Sequence, residues 1–414
     1  MTWVKTRLGE FAPFVYGKGL PKEKRISGDV PVYGSNGIVG FHNQALLSKP
    51  VVVIGRKGSV GEVHLASGPS WPIDTAFFAE SSDKVDLDFL FYLLQTLPLK
   101  TNSDSAVPGL SREYAHSLEV LVPDKLLQTV IGSVLRTIDL KISSNQLISK
   151  TLEEIAQAIF KSWFIDFDPV KAKIAGAEPV GMDDATAVLF PDSMEDSELG
   201  LIPKGWTVKP LFDFKLEIES GARPKGGVKG IEHGVPSIGA ESINGLGVFD
   251  FSKTKYVSEE FFQKMNRGKP KDFDVLLYKD GGKPGEFKPR VGMFGLGFPF
   301  ARYAINEHVF LLRSRELGPA YLYFWIRMER TLDILRNRGI KAAIPGINQQ
   351  DVGTIPVLWS NPELISKFNE LCTPYLELIL TLALESLELA RIRDSLLPRL
   401  ISGELQIPEE MLGA

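Results

Sequence analysis

The chain has 414 residues, more than one ordinary domain holds, and 44% of them are hydrophobic, which is enough for folded cores. Its net charge of −4 is unevenly distributed, because residues 166–198 carry nine acidic residues against two lysines, whereas residues 204–350 carry 24 Lys and Arg against 16 Asp and Glu. The single cysteine, Cys372, excludes an intramolecular disulfide and a cysteine-based zinc site, and the basic segment suits a polyanionic partner.

The N-terminal residues favour a protein that is neither exported nor anchored. The stretch MTWVKTRLGEF carries charges early and lacks the apolar core of a signal peptide. No run of 18 apolar residues occurs, and Glu377, Glu385 and Glu388 interrupt the run that comes nearest. We therefore expect a cytoplasmic protein with no membrane partner and with a buried, unreactive thiol at Cys372.

Residues 1–122 are predicted to form a globular domain of mixed strands and helices. Short β-branched runs such as residues 51–54 stand between Gly-rich turns, and one helical pattern lies near the end of the segment. Gly and Pro are dense here, as in loops carried on a β scaffold. Such loops are common positions for binding residues.

Residues 123–168 are predicted to form a long helix. Apolar residues recur alternately four and three positions apart, which is the 3.5-residue period of a coiled-coil seam. A polar residue in the middle of such a seam commonly fixes its register. The predicted seam comprises Ile131, Val134, Ile138, Asn145, Leu152 and Ile155. Residues 169–203, rich in Asp, Ser and Pro, are interpreted as a solvated acidic linker.

The second half of the chain repeats the first. Pro108-Gly109 recurs as Pro345-Gly346, and this offset of 237 continues without a gap through the helical segments. The front of each half matches at an offset of 203, which places Trp3 on Trp206. A second domain is therefore predicted over residues 204–358 and a second long helix with its tail over residues 359–414. The second seam comprises Leu371, Leu378, Leu382, Leu389 and Ile392.

These elements predict an α+β fold with an internal pseudo-twofold repeat. Two mixed α/β domains are joined by two long helices that pair as an antiparallel coiled coil. A helix of about 34 residues is about 50 Å long, the length of about 15 base pairs of DNA. Such a pair would hold one domain at each end.

Motifs for catalysis are missing from the sequence. It contains no G-x-x-x-x-G-K-[ST] loop, no G-x-G-x-x-G, no G-x-S-x-G and no Asn-Pro-Pro-aromatic tetrad. The five histidines lack metal-ligand spacing. We therefore expect no catalytic residue and no metal site, and a protein that positions something else.

Three segments resemble the specificity (S) subunit of type I restriction-modification systems: TLEEIAQAIFKSWFIDFDPV, LFPDSMEDSELGLIPKGW and DSLLPRLISGEL. The order of domains and helices is similar as well, over the whole chain. The resemblance implies a non-catalytic subunit whose two target-recognition domains bind the halves of a bipartite DNA site. The helices would set the spacer and bind two methyltransferase (M) subunits, and restriction (R) subunits would join the assembly. S-adenosylmethionine, ATP and Mg²⁺ would be bound by the partner subunits, and this chain would bind no cofactor.

Candidate DNA-binding residues lie in the Gly-rich loops, because phosphates and base edges are bound by basic, amide, hydroxyl and acidic groups. In the first domain they are Lys18, Lys22, Lys24, Arg25, Tyr33, Ser35, Asn36, Arg56, Lys57 and Ser59. In the second domain they are Arg223, Lys225, Glu241, Lys279, Asp280 and Lys283.

Matching positions in the two halves suggest different roles for some candidates. The alignment pairs Lys22 with Lys225, which suggests a phosphate contact, and Arg56 with Asp280, which suggests base recognition. Four more candidates follow the repeated Pro-Gly and either reach DNA or serve as helix caps: Ser111, Arg112, Asn348 and Gln349. Residues near the helix ends either seal the coiled coil or bind M subunits: Trp163, Phe164, Phe167, Leu397 and Leu400.

Two other functions are compatible with parts of the sequence. A stand-alone DNA-binding regulator with duplicated domains would bind specific DNA tightly without partners. A carbohydrate- or nucleotide-processing enzyme with duplicated β domains would need a cleft with a pair of perturbed acids, for which the sequence offers no candidate.

Overall fold

The computed structural model describes residues 3–100, 109–281, 283, 285–340, 345–408 and 410. The chain divides into a first unit, Met1–Ser143 with Glu388–Ala414, and a second unit, Ser144–Leu387. Each unit contains one globular domain and parts of two helices that are 40 residues long.

The first unit contains the first domain, whose described residues form nine strands and three α-helices. Its strands are β1 (Trp3–Arg7), β2 (Val15–Tyr16), β3 (Val30–Gly34), β4 (Gly37–His42), β5 (Val51–Gly55), β6 (Val63–Ala66), β7 (Trp71–Pro72), β8 (Ala76–Glu80) and β9 (Glu119–Pro123). Its helices are α1 (Leu8–Phe11), α2 (Leu87–Thr96) and α3 (Arg112–Ser117), and the long helix α4 (Lys125–Phe164) begins in this unit.

The first domain is organised around the buried strand β5. Its sequence VVVIG is β-branched at the first four positions and buried at all five, as expected of a strand covered on both faces. The antiparallel sheet has the order β2-β8-β5-β6, and a second sheet has the order β4-β3-β7. Strands β1 and β9 pair antiparallel and bring the start of the domain to the start of α4.

The second unit begins with the rest of α4 and continues through the second domain. Its strands are β10 (Met194–Ser197), β11 (Gly200–Pro203), β12 (Thr207–Pro210), β13 (Glu217–Ser220), β14 (Val235–Ile238), β15 (Lys255–Val257), β16 (Val275–Tyr278), β17 (Val291–Met293), β18 (Ala304–Ile305), β19 (Val309–Arg313) and β20 (Pro356–Trp359). Its helices are α5 (Asp168–Ile174), α6 (Asp184–Val188), α7 (Glu259–Lys264), α8 (Pro319–Arg327), α9 (Glu329–Gly339) and α10 (Gln349–Gly353), followed by the first part of α11 (Pro362–Ile401).

The second domain has the topology of the first. Its sheets have the orders β13-β19-β16-β17 and β15-β14-β18, and β12 pairs with β20 as β1 pairs with β9. In both three-stranded sheets one pair is parallel and the other antiparallel. The predicted fold class and internal repeat are therefore confirmed.

The two long helices run antiparallel within each unit. In the first unit, Asp139 of α4 accepts a hydrogen bond of 2.6 Å from Arg393 of α11. In the second unit, Nδ2 of Asn145 donates to Glu385 at 2.8 Å. Farther along α4, the ring of Phe160 lies 5.7 Å from that of Phe368, so residue numbers rise on one helix as they fall on the other.

The predicted seam needs correction at four positions. Ile155, Leu371, Leu378 and Ile392 are exposed, so their assignment to a buried seam is wrong. The other seven seam residues are buried or half-buried. The helices also pack against their domains, so the buried face is wider than a coiled-coil stripe and includes Ala156, Cys372, Leu376 and Leu380.

The acidic segment 169–203 is folded, so its interpretation as a solvated linker is wrong. It contains α5, α6 and the hairpin of β10 and β11. Val170, Phe190 and Ile202 are buried in the core of the second unit. Burial of these three apolar side chains holds the segment against the core, while its acidic residues lie mainly at the surface.

Candidate nucleic-acid interface

In the first domain, backbone hydrogen bonds fix the position of the loop after β5. The N–H groups of Arg56 and Lys57 both donate to the carbonyl of Thr75, at 2.9 and 3.1 Å. The carbonyl of Arg56 accepts from the N–H of Leu110 at 2.9 Å, and Lys57 forms an antiparallel bridge with Gly109.

The loop after β16 repeats this backbone arrangement in the second domain. The N–H of Lys279 donates to the carbonyl of His308 at 2.9 Å, and its carbonyl accepts from Ile347 at 2.8 Å. Asp280 forms the antiparallel bridge with Gly346. The equivalent pairs are therefore Arg56 with Lys279 and Lys57 with Asp280.

The predicted equivalence of Arg56 with Asp280 is wrong by one residue. Strand register decides the alignment: Val53 pairs with Phe78 on β8, and Leu276 pairs with Leu311 on β19. Both loops contain several Gly and charged residues, so the amino-acid sequence alone does not fix the offset there. The basic-to-acidic difference is thus between Lys57 and Asp280.

Arg56 and Lys279 make matching side-chain contacts. Nη1 of Arg56 donates to the carbonyl of Asp74 at 3.2 Å, and Nζ of Lys279 donates to the carbonyl of Glu307, also at 3.2 Å. The guanidinium carbon lies 5.7 Å from the ring centre of Phe77, and the ammonium lies 5.4 Å from that of Phe310. Both cations are therefore held against the same part of the repeated sheet.

A cationic cluster surrounds Tyr16 at the end of β2. The guanidinium carbons of Arg56 and Arg112 each lie 4.9 Å from the centre of the Tyr16 ring. The ring is partly exposed, so this cluster is on the surface of the first domain. A cation–π contact of this kind orients the guanidinium group. The N–H donors lie in the plane of the guanidinium and remain able to bind another group.

The repeated Pro-Gly is followed by a helix cap in each domain. Oγ of Ser111 accepts from the N–H of Tyr114 at 3.3 Å, and the Asn348 side chain accepts from the N–H of Asp351 at 3.0 Å. The helix-cap interpretation is confirmed for both residues. Arg112 and Gln349 are then the first residues of α3 and α10.

The structure separates the remaining candidates of the first domain into exposed and structural side chains. Tyr33 and Ser35 are buried, and Oγ of Ser35 donates to the carbonyl of Thr75 at 2.5 Å, so their predicted DNA contact is wrong. Burial also raises the pKa of Tyr33. Arg25 donates to the carbonyls of Val39 at 2.8 Å and Leu20 at 3.3 Å and so holds its loop. The exposed candidates are Lys18, Lys22, Lys24, Asn36, Lys57 and Ser59.

Charged side chains are paired around the candidate loops of the second domain. Arg223 lies 3.4 Å from Glu307, and His308 contacts Asp280 through Nδ1. Burial alone would raise the pKa of Glu241, but its 2.6 Å hydrogen bond from Lys255 and further favourable contacts lower it overall. Lys225 and Lys283 are exposed.

The predicted docking residues near the helix ends lie mainly in the interior. Trp163, Phe164 and Leu400 are buried, so a docking role for these three is wrong and the sealing interpretation fits them. Phe164 packs edge-on against Tyr321 with ring centres 4.9 Å apart. Phe167 and Leu397 are half-buried and also pack against the cores of their units.

Metal sites and membrane-spanning helices were sought among the residues that the structure describes. No group of three or more His, Cys, Asp and Glu residues there could hold a metal ion, and no helix there could cross a membrane. Cys372 is buried, which confirms the expected environment, and burial raises the pKa of its thiol to about 12.

Comparison with known proteins shows which proteins the chain resembles. Residues 1–154 match the model of the type I restriction modification DNA specificity domain. The MjaIX type I restriction enzyme specificity subunit of Methanocaldococcus jannaschii is 24% identical over 382 residues, which cover 88% of this chain and 79% of that protein. The HindI specificity subunit of Haemophilus influenzae is 26% identical over 374 residues, which cover 77% of each chain.

The chain is therefore similar in sequence to type I restriction-modification specificity subunits. The fold of this chain is similar to that of the S subunit of a type I restriction-modification system from M. genitalium, with a TM-score of 0.61 and 14% identity over 99% of this chain and 97% of that one. The same fold therefore recurs at low sequence identity, as expected where loops vary on a common framework.

Proposed function

We propose that this chain is a type I specificity (S) subunit that recognises a bipartite DNA site, with each of its two domains binding one half. The observation that carries the proposal is the repeated backbone arrangement of the loops after β5 and β16. Closely similar backbone frames that present different side chains suit two half-sites of different sequence. Exposed lysines beside both loops supply the positive charge that phosphates require.

The proposal includes two M subunits bound to the long helices, with R subunits joining the assembly. Ile155 on α4 and Ile392 on α11 are equivalent in the repeat and are 42% and 49% exposed. One lies in the second unit and the other in the first. Exposed apolar residues at equivalent positions suit two copies of the same partner.

Catalysis is assigned to the partner subunits in this proposal. S-adenosylmethionine for adenine methylation, and ATP with Mg²⁺ for translocation and cleavage, would be bound by the M and R subunits. This chain would supply DNA recognition and a scaffold, and it would bind no cofactor of its own.

The test is to delete the gene for this chain in a host whose M subunit is active and to map N6-methyladenine across the genome. We expect one bipartite motif to lose methylation and to regain it when the gene is restored. Retention of every methylated motif would refute the proposal. Tight sequence-specific binding by the purified chain alone, with no change in methylation, would instead favour the stand-alone regulator.

A further inference from the structure

The two recognition domains share a frame on which only some side chains differ. Tyr16 and Ser220 are equivalent, because they pair with the equivalent residues Phe77 and Phe310. Four pairs of equivalent positions lie close to the repeated loops: Tyr16 with Ser220, Arg56 with Lys279, Lys57 with Asp280, and Arg112 with Gln349.

The cationic side chain at the pair Arg56 and Lys279 makes the same contacts in both domains. Arg56 and Lys279 donate to equivalent carbonyls and lie over equivalent rings. A position that keeps both its charge and its contacts suits a role common to both half-sites, such as stabilising the loop or binding phosphate. Differences in base sequence must then be recognised by the positions whose chemistry differs.

Arg112 and Gln349 occupy equivalent backbone positions in the two domains but have different side chains. Each is the first residue of a short helix, directly after the capping residue, and the N–H group of the residue before each cap donates within the repeated backbone arrangement. Their Cα atoms are thus placed alike in the two domains. Only the terminal group differs, a guanidinium in one domain and a carboxamide in the other.

The guanidinium of Arg112 suits guanine. It lies 4.9 Å from the centre of the Tyr16 ring, which orients its plane. An arginine oriented in this way presents two parallel N–H donors, which match O6 and N7 of guanine in the major groove. The preorganised plane reduces the side-chain entropy that would be lost when the base is bound.

The carboxamide of Gln349 suits adenine. Its Nε2 donates to the carbonyl of Ile218 at 3.2 Å, so the amide is oriented by the second domain itself. A glutamine side chain can donate to N7 and accept from the N6 amino group of adenine. The equivalent of Tyr16 is Ser220, so no aromatic ring replaces the platform that a guanidinium would use.

We propose that Arg112 and Gln349 are equivalent specificity-determining residues, Arg112 for a guanine in the half-site of the first domain and Gln349 for an adenine in that of the second. The inference rests on the proposed function and specifies one base contact in each half-site. It implies that exchanging the two side chains should exchange the preferred base without disturbing the frame.

The experiment uses the complete complex with its M subunits, in a host that lacks other adenine methylation. Genome-wide N6-methyladenine maps are compared for the original chain, Arg112→Gln and Gln349→Arg. We expect Arg112→Gln to replace or relax one G·C pair in one half of the motif. Gln349→Arg should convert one A·T pair to G·C in the other half. Lys5→Gln is the control, because Lys5 makes an exposed ion pair with Glu119 on the paired strands β1 and β9.

Purified complexes provide a second measurement in case a variant loses methylation. Binding is measured for duplexes in which each base pair of the motif is substituted in turn. Arg112→Gln and Arg112→Lys should each reduce discrimination at one guanine by about 5- to 150-fold, the equivalent of about 1–3 kcal/mol. Thermal unfolding of each variant chain verifies that it is folded.

Three outcomes would contradict the inference. An unchanged base preference at every position, changes from both variants in the same half, or a uniform loss of affinity for all duplexes would each overturn it. If the original complex produces no bipartite motif at all, the proposed function itself fails. The two failures are therefore distinguishable.

Discussion

Replacing either exposed isoleucine of the long helices by aspartate should remove one M subunit from the complex. Full burial of an isoleucine side chain contributes about 1.5–3 kcal/mol. With 42% of Ile155 and 49% of Ile392 exposed, contact with a partner would still gain about 0.6–1.5 kcal/mol at each site. An aspartate loses this gain and must also be desolvated, so we expect a total cost of about 2 kcal/mol or more, a rise of about 30-fold in Kd.

The assay is native mass spectrometry of the chain mixed with its M subunit. At protein concentrations near the Kd, Ile155→Asp and Ile392→Asp should each give a complex with one M subunit, and the double variant should give the unbound chain. Ile174→Asp is the matched control, because Ile174 is 53% exposed at the end of α5, outside the long helices. Full occupancy by two M subunits in both single variants would refute this account of docking.

Three further predictions concern stability and reactivity. Arg313→Met should lower the free energy of unfolding in urea by about 3–5 kcal/mol, because it leaves the Asp274 carboxylate, 2% exposed, without its bidentate partner; a loss below about 1 kcal/mol would contradict this. The pKa of His116 is lowered, first by burial and then by Arg112, and its Nε2 accepts from the N–H of Phe14 at 2.8 Å. The stability that neutral His116 contributes is therefore fully present above about pH 6.5, the pKa of histidine in the unfolded chain. It is lost as the pH falls through the lower pKa of His116 in the folded chain, and a His116→Gln variant should lack this pH dependence. Cys372 should resist thiol reagents at neutral pH in the native chain and react in urea, because burial raises its pKa to about 12; rapid native labelling would contradict its burial.

The repeat could be predicted from the sequence because its ends are anchored by matching residues. Trp3 and Trp206, with Pro108-Gly109 and Pro345-Gly346, bracket both domains at offsets that leave little freedom for the framework. The caps at Ser111 and Asn348 follow from the same alignment, since Ser and Asn are preferred capping residues. Of these bracketing residues, Pro108 lies outside the described part of the chain.

Side-chain placement within the loops could not be predicted in the same way. The pairing of Arg56 with Asp280 was wrong by one residue because only strand register distinguishes two adjacent charged positions. Tyr33 and Ser35 have residue types that suit DNA, yet their burial depends on contacts between strands distant in sequence.

Helix packing shows a similar limit. A heptad pattern identifies an apolar stripe but does not say which neighbour covers it, so it places Ile155 and Ile392 in the seam although they are exposed. The reverse holds at Phe190, because the acidic composition of its segment predicts a linker, whereas the buried ring holds the segment against the core. The apolar residues within this acidic segment are the sequence feature that indicates a folded segment.

The central claim, one recognition domain for each half of a DNA site, is tested most directly by replacing the second domain with a copy of the first. Residues 206–358 are replaced by a second copy of residues 3–121, because the two segments begin and end at equivalent positions of the repeat. N6-methyladenine is then mapped in cells that express the M subunit. If each domain recognises one half-site, the new motif will carry the half-site of the first domain on both sides of the spacer. A motif that keeps its original second half would contradict it.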